Sequence, residues 1–326
     1  MGKHRLVFSA LFLLSLTACG GEGRQQQDGT AAIPSPEDVA STFSDERAQW
    51  VREREEELRK PDGWTSLIGL HWVEGGTHTV GGSGDSGIRL AIAPPNLGRV
   101  ERRGDTLYFV ASGDAGITVD GQPLHGEVEL QPEGRGGGTQ LAYDDGKGRI
   151  TAIGRGGQLA LRVRHADAPT RVGFAGLDFF PADPRWRVQA RFVAHPPGKT
   201  LPIVNLIGNV NDSPNPGYVE FDRDGRHWRL EALGDPAKGL NLMFQDQTSG
   251  QQSYAVGRYL HTDAVAGDGT VVVDFNRAYN PPCAYTAYAT CPLPPPENRF
   301  AQKDDNGELV RLAVLAGEKK YALATH

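Results

Sequence analysis

The chain has 326 residues, a formal net charge of −6, 42 glycines, 22 prolines and only 2 methionines. A mildly acidic chain argues against nucleic-acid partners, which demand basic patches, and against electrostatic adhesion to anionic head groups. The length accommodates one large or two modest domains, and the glycine and proline content favours β structure.

The chain opens on a three-part export pattern. Lys3 and Arg5 form a positive start, and Leu6 to Leu16 form an apolar run too short to span a bilayer as a helix. Leu16-Thr17-Ala18-Cys19-Gly20 then resembles the bacterial lipobox. The resemblance implies cleavage of residues 1–18, lipidation of Cys19 and a place in the cell envelope. Gly20 at the position after the cysteine points to the outer membrane, facing the periplasm. Residues 19–43 are rich in Gly, Gln and Pro at first and read as a flexible tether.

A helix is expected over 44–62. Ser44 is a plausible N-cap, Asp45 and Glu46 suit the positive end of the dipole, and Lys60-Pro61 stops it. Trp50, Val51 and Leu58 are its main apolar residues, and Glu55/Arg59 and Glu56/Lys60 are spaced as i,i+4 pairs. Short strands separated by turns follow over 63–182: 64–73, 88–92, 106–110, 116–119, 127–130, 139–142, 149–153 and 159–163. Asp120-Gly121, Asp145-Gly146 and Gly156-Gly157 supply the turns. This is the pattern of a sandwich or small barrel. Residues 79–125 resemble a forkhead-associated sandwich, but no Arg follows Gly81 and the downstream Ser-x-x-His is missing, so only the shape carries over.

Phe179 to Pro184 reads as a boundary, and 183–326 as a second β-rich unit. Its strands are expected at 186–192, 201–210, 217–221, 226–232, 241–245, 253–260 and 270–275, with Asp224-Gly225 closing a hairpin. The fold class is therefore mainly β: two packed β-rich units preceded by one amphipathic helix.

Several catalytic signatures are missing. Gly84-Asp85-Ser86-Gly87 sits in a Gly/Ser turn and lacks the final glycine of the trypsin-type motif. There is no G-x-S-x-G elbow, no P-loop and no H-E-x-x-H. The histidines lack metal-ligand spacing, and Asp222 to Gly225 and Asp304 to Glu308 read as turns, not calcium loops. No metal or cofactor is called for.

The informative segment is 271–300. Val271 to Phe275 reads as a buried strand, and a proline-stiffened loop bearing Tyr279, Tyr285 and Tyr288 follows. Cys283 and Cys291, the only cysteines besides Cys19, lie in it. An oxidising envelope makes a disulfide between them the natural state, whereas a metal site would need two further ligands.

Asp274 to Tyr285, Thr290 to Pro295 and Glu297-Asn298-Arg299 resemble the signature of the family known as domain of unknown function 1684. Lys60 to Trp64 with Ser66 to Leu70, Phe244 to Gly250 with Tyr254 to Arg258, and Ala316 to Lys319 are similar to its other motifs. The resemblance covers about residues 45–322. It implies one architecture and no activity.

Two functions compete. The first is a binding or scaffold module for an envelope small molecule, glycan or peptide, with Asn276, Tyr279, Asn280, Tyr285, Tyr288 and Asn298 as candidate binding residues. The second is a hydrolase of envelope polymers, with Asp246, Asp274 and Glu318 as acid/base carboxylates and Arg258 orienting an anion. The first needs the three tyrosines on a concave surface. The second needs two of the carboxylates in one cleft. Against both stand structural uses: Asp246 capping a turn, Asp274 paired with Arg258, Glu318 on a plain surface turn.

Overall fold

The computed structural model describes residues 36–113, 115–134 and 137–321. The export signal and Cys19 lie outside the described residues. The helix spans Pro36–Arg59, so residues 36–43, expected in the tether, are helical. In sequence, Pro36 followed by Glu37 and Asp38 is a favourable helix start that competes with Ser44. Of the two expected pairs, Arg59–Glu55 forms at 2.9 Å, while Lys60 reaches Glu57 instead of Glu56. No helix among the described residues is long and apolar enough to cross a membrane.

The first unit is built of two sheets. One runs in the order Leu67–Trp72, Gln158–His165, Gly148–Arg155, Gln140–Tyr143, Thr118–Val119, Gln122–Pro123. The other runs Ile88–Arg89, Gly76–Gly81, Gly98–Arg103, Thr106–Ala111, Glu127–Leu130. Their inner faces share one core: Leu141, Ile150, Leu161 and Val163 from the first meet Val80, Val100, Leu107 and Phe109 from the second. Strands 76–81 and 98–103 go unannounced in the sequence because their outward positions are so polar. Arg99, Glu101 and Arg103 alternate with a single fully buried valine, Val100.

The second unit is a six-stranded antiparallel sheet in the order Arg258–His261, Gly239–Phe244, Arg226–Asp235, Gly217–Arg223, Arg187–Ala194, Thr270–Asp274. Asp224 and Gly225 both take positive φ and close the expected hairpin. The expected strand 201–210 is instead a separate hairpin, Thr200–Val204 with Val210–Pro214. Asn205 and Gly208 break it. Asn205 Oδ1 accepts from the backbone N–H of Ile207 and Asn209, and Gly208 supplies a positive φ. The expected strand 253–260 begins only at Arg258, because Gly257 takes φ +116° and a Cβ there would lie 2.5 Å from the Phe244 carbonyl oxygen.

Phe275 is the centre of this unit's core. It is fully buried and meets Trp186, Phe221, Phe244 and Phe300 at centroid separations of 5.5–5.9 Å. Phe300, Leu312, Val314 and Ala316 close the core from the C-terminal side. Phe275→Ala is expected to cost about 3–5 kcal/mol of stability in urea unfolding. A loss under 1 kcal/mol would show that the aromatic cluster is not the packing centre.

Candidate functional site

Two buried carboxylates organise the second unit. Arg258 is fully buried on the edge strand 258–261, where its Nη2 meets Asp246 Oδ1 at 3.3 Å and the Val314 carbonyl at 2.9 Å. Burial depresses its pKa, and Asp246 opposes that effect. Asp246 also accepts from Thr248 Oγ1, Ser249 Oγ and the Val314 N–H. The expected pair of Arg258 with Asp274 does not form, because Asp246 occupies its guanidinium. Asp274 instead caps the turn 275–277, accepting from the Asn276 N–H at 3.0 Å, with Arg187 and Arg277 at 4.0 and 3.8 Å.

Glu318 is not a surface residue. It is fully buried and accepts from Arg54 Nε at 2.8 Å, the Asn280 N–H at 2.7 Å and the Tyr285 hydroxyl at 2.7 Å. Arg54 also donates to the Asn280 carbonyl at 3.0 Å and lies over the Tyr279 ring at 4.7 Å. Burial works against the Arg54 charge, but Glu318, together with Tyr285 and Tyr279, more than offsets it and raises the pKa. The helix is therefore bolted to the signature loop by an ion pair that joins residues far apart in sequence.

These placements remove any shared cleft for the three carboxylates. Asp246 borders a cavity of about 240 Å³ with Arg299 and Arg311. Neither Asp274 nor Glu318 lines that cavity or the larger groove described below.

Most of the candidate binding residues are latches. Asn276 exchanges hydrogen bonds with the Asp183 backbone at 3.0 Å. Asn280 Nδ2 donates to the Lys319 carbonyl at 2.8 Å. Asn298 ties the Glu231 N–H and carbonyl to the Met243 carbonyl. Tyr285 packs inward with Leu58 and Phe174. Tyr288 is 39% exposed and lines neither the cavity beside Asp246 nor the larger groove described below. The concave surface of three tyrosines is thus not formed, since only Tyr279 reaches a groove.

That groove encloses about 760 Å³ between hairpin 200–214, strands 239–244 and 258–261, and residues 154–156, where strand 148–155 of the first unit runs into its turn. Leu201, Ile203 and Met243 seat the hairpin on the sheet. The polar lining includes Asn205, Asn209, Asn211 and Asn241 with Tyr259, His261 and Tyr279, and Arg155, Ser213 and Thr290 complete it. Gly156 lets the two units approach, because a Cβ there would lie 2.7 Å from Asn209 Oδ1. Tyr279 hydroxyl and His261 Nε2 are 2.6 Å apart, their rings stack at 5.6 Å, and Tyr259 meets Tyr279 edge-on. Burial, and then the Arg54 charge, depress the His261 pKa. Burial pushes Tyr279 up to about 12. Both groups are neutral at pH 7. A second cavity, of about 640 Å³, lies elsewhere, between Trp186, Trp228, Arg223 and Arg311. Sequence reading missed the asparagines, although Asn205 and Asn209 flank a Gly-containing break that marks the hairpin.

Cys283 and Cys291 are free thiols in this structure, so the expected disulfide is not formed. The Cys283 N–H donates to Cys291 Sγ at 3.1 Å. The contact with Cys291 lowers the Cys283 pKa, and the same contact raises that of Cys291. The segment after Cys291 walls the groove: Leu206 N–H donates to the Cys291 carbonyl, Tyr259 hydroxyl to the Pro292 carbonyl, and Leu293 N–H to the Val204 carbonyl.

Residues 172–319 match the family model described as "Protein of unknown function (DUF1684)". An uncharacterised protein of Haloarcula marismortui, solved by solution NMR, is 33% identical over 46% of this chain and 78% of its own, with a TM-score of 0.36. The chain belongs to the DUF1684 family. The family region contains the groove's hairpin, both strands, Tyr279 and the cysteine loop, but not residues 154–156. The chain is also similar to the FhaA FHA domain, crystallised with the intracellular domain of Rv3910. That match has 15% identity over 29% of this chain and 97% of that one, with a TM-score of 0.20. Neither superposition is close enough to carry a functional argument. No curated protein matches the chain.

In an NMR pH titration, His261 is expected to titrate below its ordinary value of about 6.5. Arg54→Gln should move it upward by removing the opposing charge. Stability owed to a neutral His261 is full above pH 6.5 and falls away as pH drops through the folded pKa. A wild-type value at or above 6.5 would contradict the buried arrangement with Arg54 and Tyr279.

Proposed function

We propose that this protein is a cell-envelope lipoprotein, anchored through Cys19, that binds a small polyhydroxylated molecule such as a glycan fragment in the groove at Tyr279. The observation that carries the reading is the lining itself. Asparagine side chains from four positions and aromatic side chains from two share one cavity wall, a combination that suits hydroxyl-rich rings. The volume lies in the usual range for small-ligand sites. Asn209 Nδ2 is buried without a partner among the described residues, an unmet donor in the wall. The hydrolase reading gains no such support, because Asp246, Asp274 and Glu318 are spent on backbone and arginine contacts.

The first test is calorimetry of the full-length protein against a panel of neutral and acidic saccharides. Asn241→Ala and Tyr279→Phe are expected to weaken the best ligand about tenfold, a loss of about 1.4 kcal/mol. Tyr288→Ala should leave it unchanged. Equal binding by all variants would place the ligand elsewhere. The anchor is tested separately: Cys19→Ser should move the protein from the membrane fraction to the soluble one, and retention in the membrane would rule out lipidation as the attachment.

We also propose that a disulfide oxidant in the envelope converts the two thiols of Cys283 and Cys291 to a disulfide, the oxidant taking up two electrons and two protons as two thiols. Closing this short loop would stabilise the fold by roughly 2–3 kcal/mol in the chain-entropy model. Intact mass of protein isolated from the envelope under non-reducing conditions should be lower by two hydrogens than after reduction. Two fully alkylatable thiols would refute the bond.

A further inference from the structure

The groove carries one formal charge, and it comes from the first unit. Arg155, half-buried at the end of strand 148–155, lines the wall contributed by that unit. It has no carboxylate within ion-pair distance among the described residues, and its guanidinium's one hydrogen bond there goes to the Gly154 carbonyl. None of the residues lining the groove is acidic, although the chain holds 40 Asp and Glu against 34 Lys and Arg. The local balance is the reverse of the global one.

The neighbouring charges explain why Arg155 stays uncompensated. Arg162 and Arg164, on the paired strand 158–165, both pair with Glu133. Arg162 feels Arg155 as a like charge. One carboxylate thus serves two arginines of this face, and the third faces the groove unpaired. Across the groove stand Tyr259, His261 and Tyr279, uncharged at neutral pH.

We infer that the ligand is an acidic sugar bearing a single carboxylate, which Arg155 engages through its planar fork while the hydroxyl-rich body lies against the tyrosine and asparagine wall. This inference rests on the glycan reading above and adds the charge of the ligand. A guanidinium matches a carboxylate in two parallel hydrogen bonds, a geometry that a lysine or a neutral amide does not reproduce. A single uncompensated cation suits a monoanion. It also makes the ligand bridge the two units, since Arg155 lies outside the family-matched region and Tyr279 lies within it.

The test is calorimetry of the full-length protein with matched pairs of disaccharides that differ only in one hydroxymethyl or carboxylate group, such as cellobiose and cellobiouronate. At low salt the acid is expected to bind about tenfold tighter than its neutral partner, with the ratio shrinking as salt rises. Arg155→Gln should bring the ratio to within about twofold, while Arg155→Lys, which keeps the charge but not the fork, should retain part of it. Equal wild-type affinity for both members, or a preference that survives Arg155→Gln, overturns the inference and leaves the glycan reading standing. Failure of every pair to bind overturns both.

Discussion

The ion pair between Arg54 and Glu318 is the constraint on which the site depends. A carboxylate buried to zero exposure must be paired and hydrogen-bonded, or it costs several kcal/mol. Glu318 meets that demand by drawing together three segments: the helix through Arg54, the signature loop through Asn280 and Tyr285, and its own C-terminal segment. Arg54, so fixed, backs the ring of Tyr279, and Tyr279 in turn holds His261 at the groove. The helix is therefore part of the groove's foundation and not a decorative leader to the β units.

The fold was largely legible from local signals. Asp224-Gly225 and Gly156-Gly157 announce hairpins because positive φ is demanded at those turns, and Val271 to Phe275 announces a buried strand. Strand 98–103 was not legible, since an outward face of Arg and Glu masks a single inward valine. The helix start was misplaced because two cap-like sequences, at Pro36 and Ser44, compete eight residues apart.

The site was less legible than the fold, for a physical reason. The signature loop is rich in polar residues, and polarity reads as function. Asn276, Asn280 and Asn298 are instead buried and spend their amides on backbone groups that regular secondary structure leaves unpaired. The residues that do line a groove, Asn205, Asn209, Asn241 and Arg155, sit on elements from both units. Their convergence depends on long-range packing that no local pattern encodes. Of the six candidate binding residues, Tyr279 alone joins them.

The two cavities of comparable size give a direct choice between competing locations. Hydrogen–deuterium exchange of the full-length protein, with and without its best-bound saccharide, reads that choice without any substitution. Protection is expected in segments 203–213, 239–243 and 259–261 and at residues 154–156. Protection confined to 183–186, 223–228 and 310–315, around the second cavity, would contradict the assignment of the groove as the ligand site.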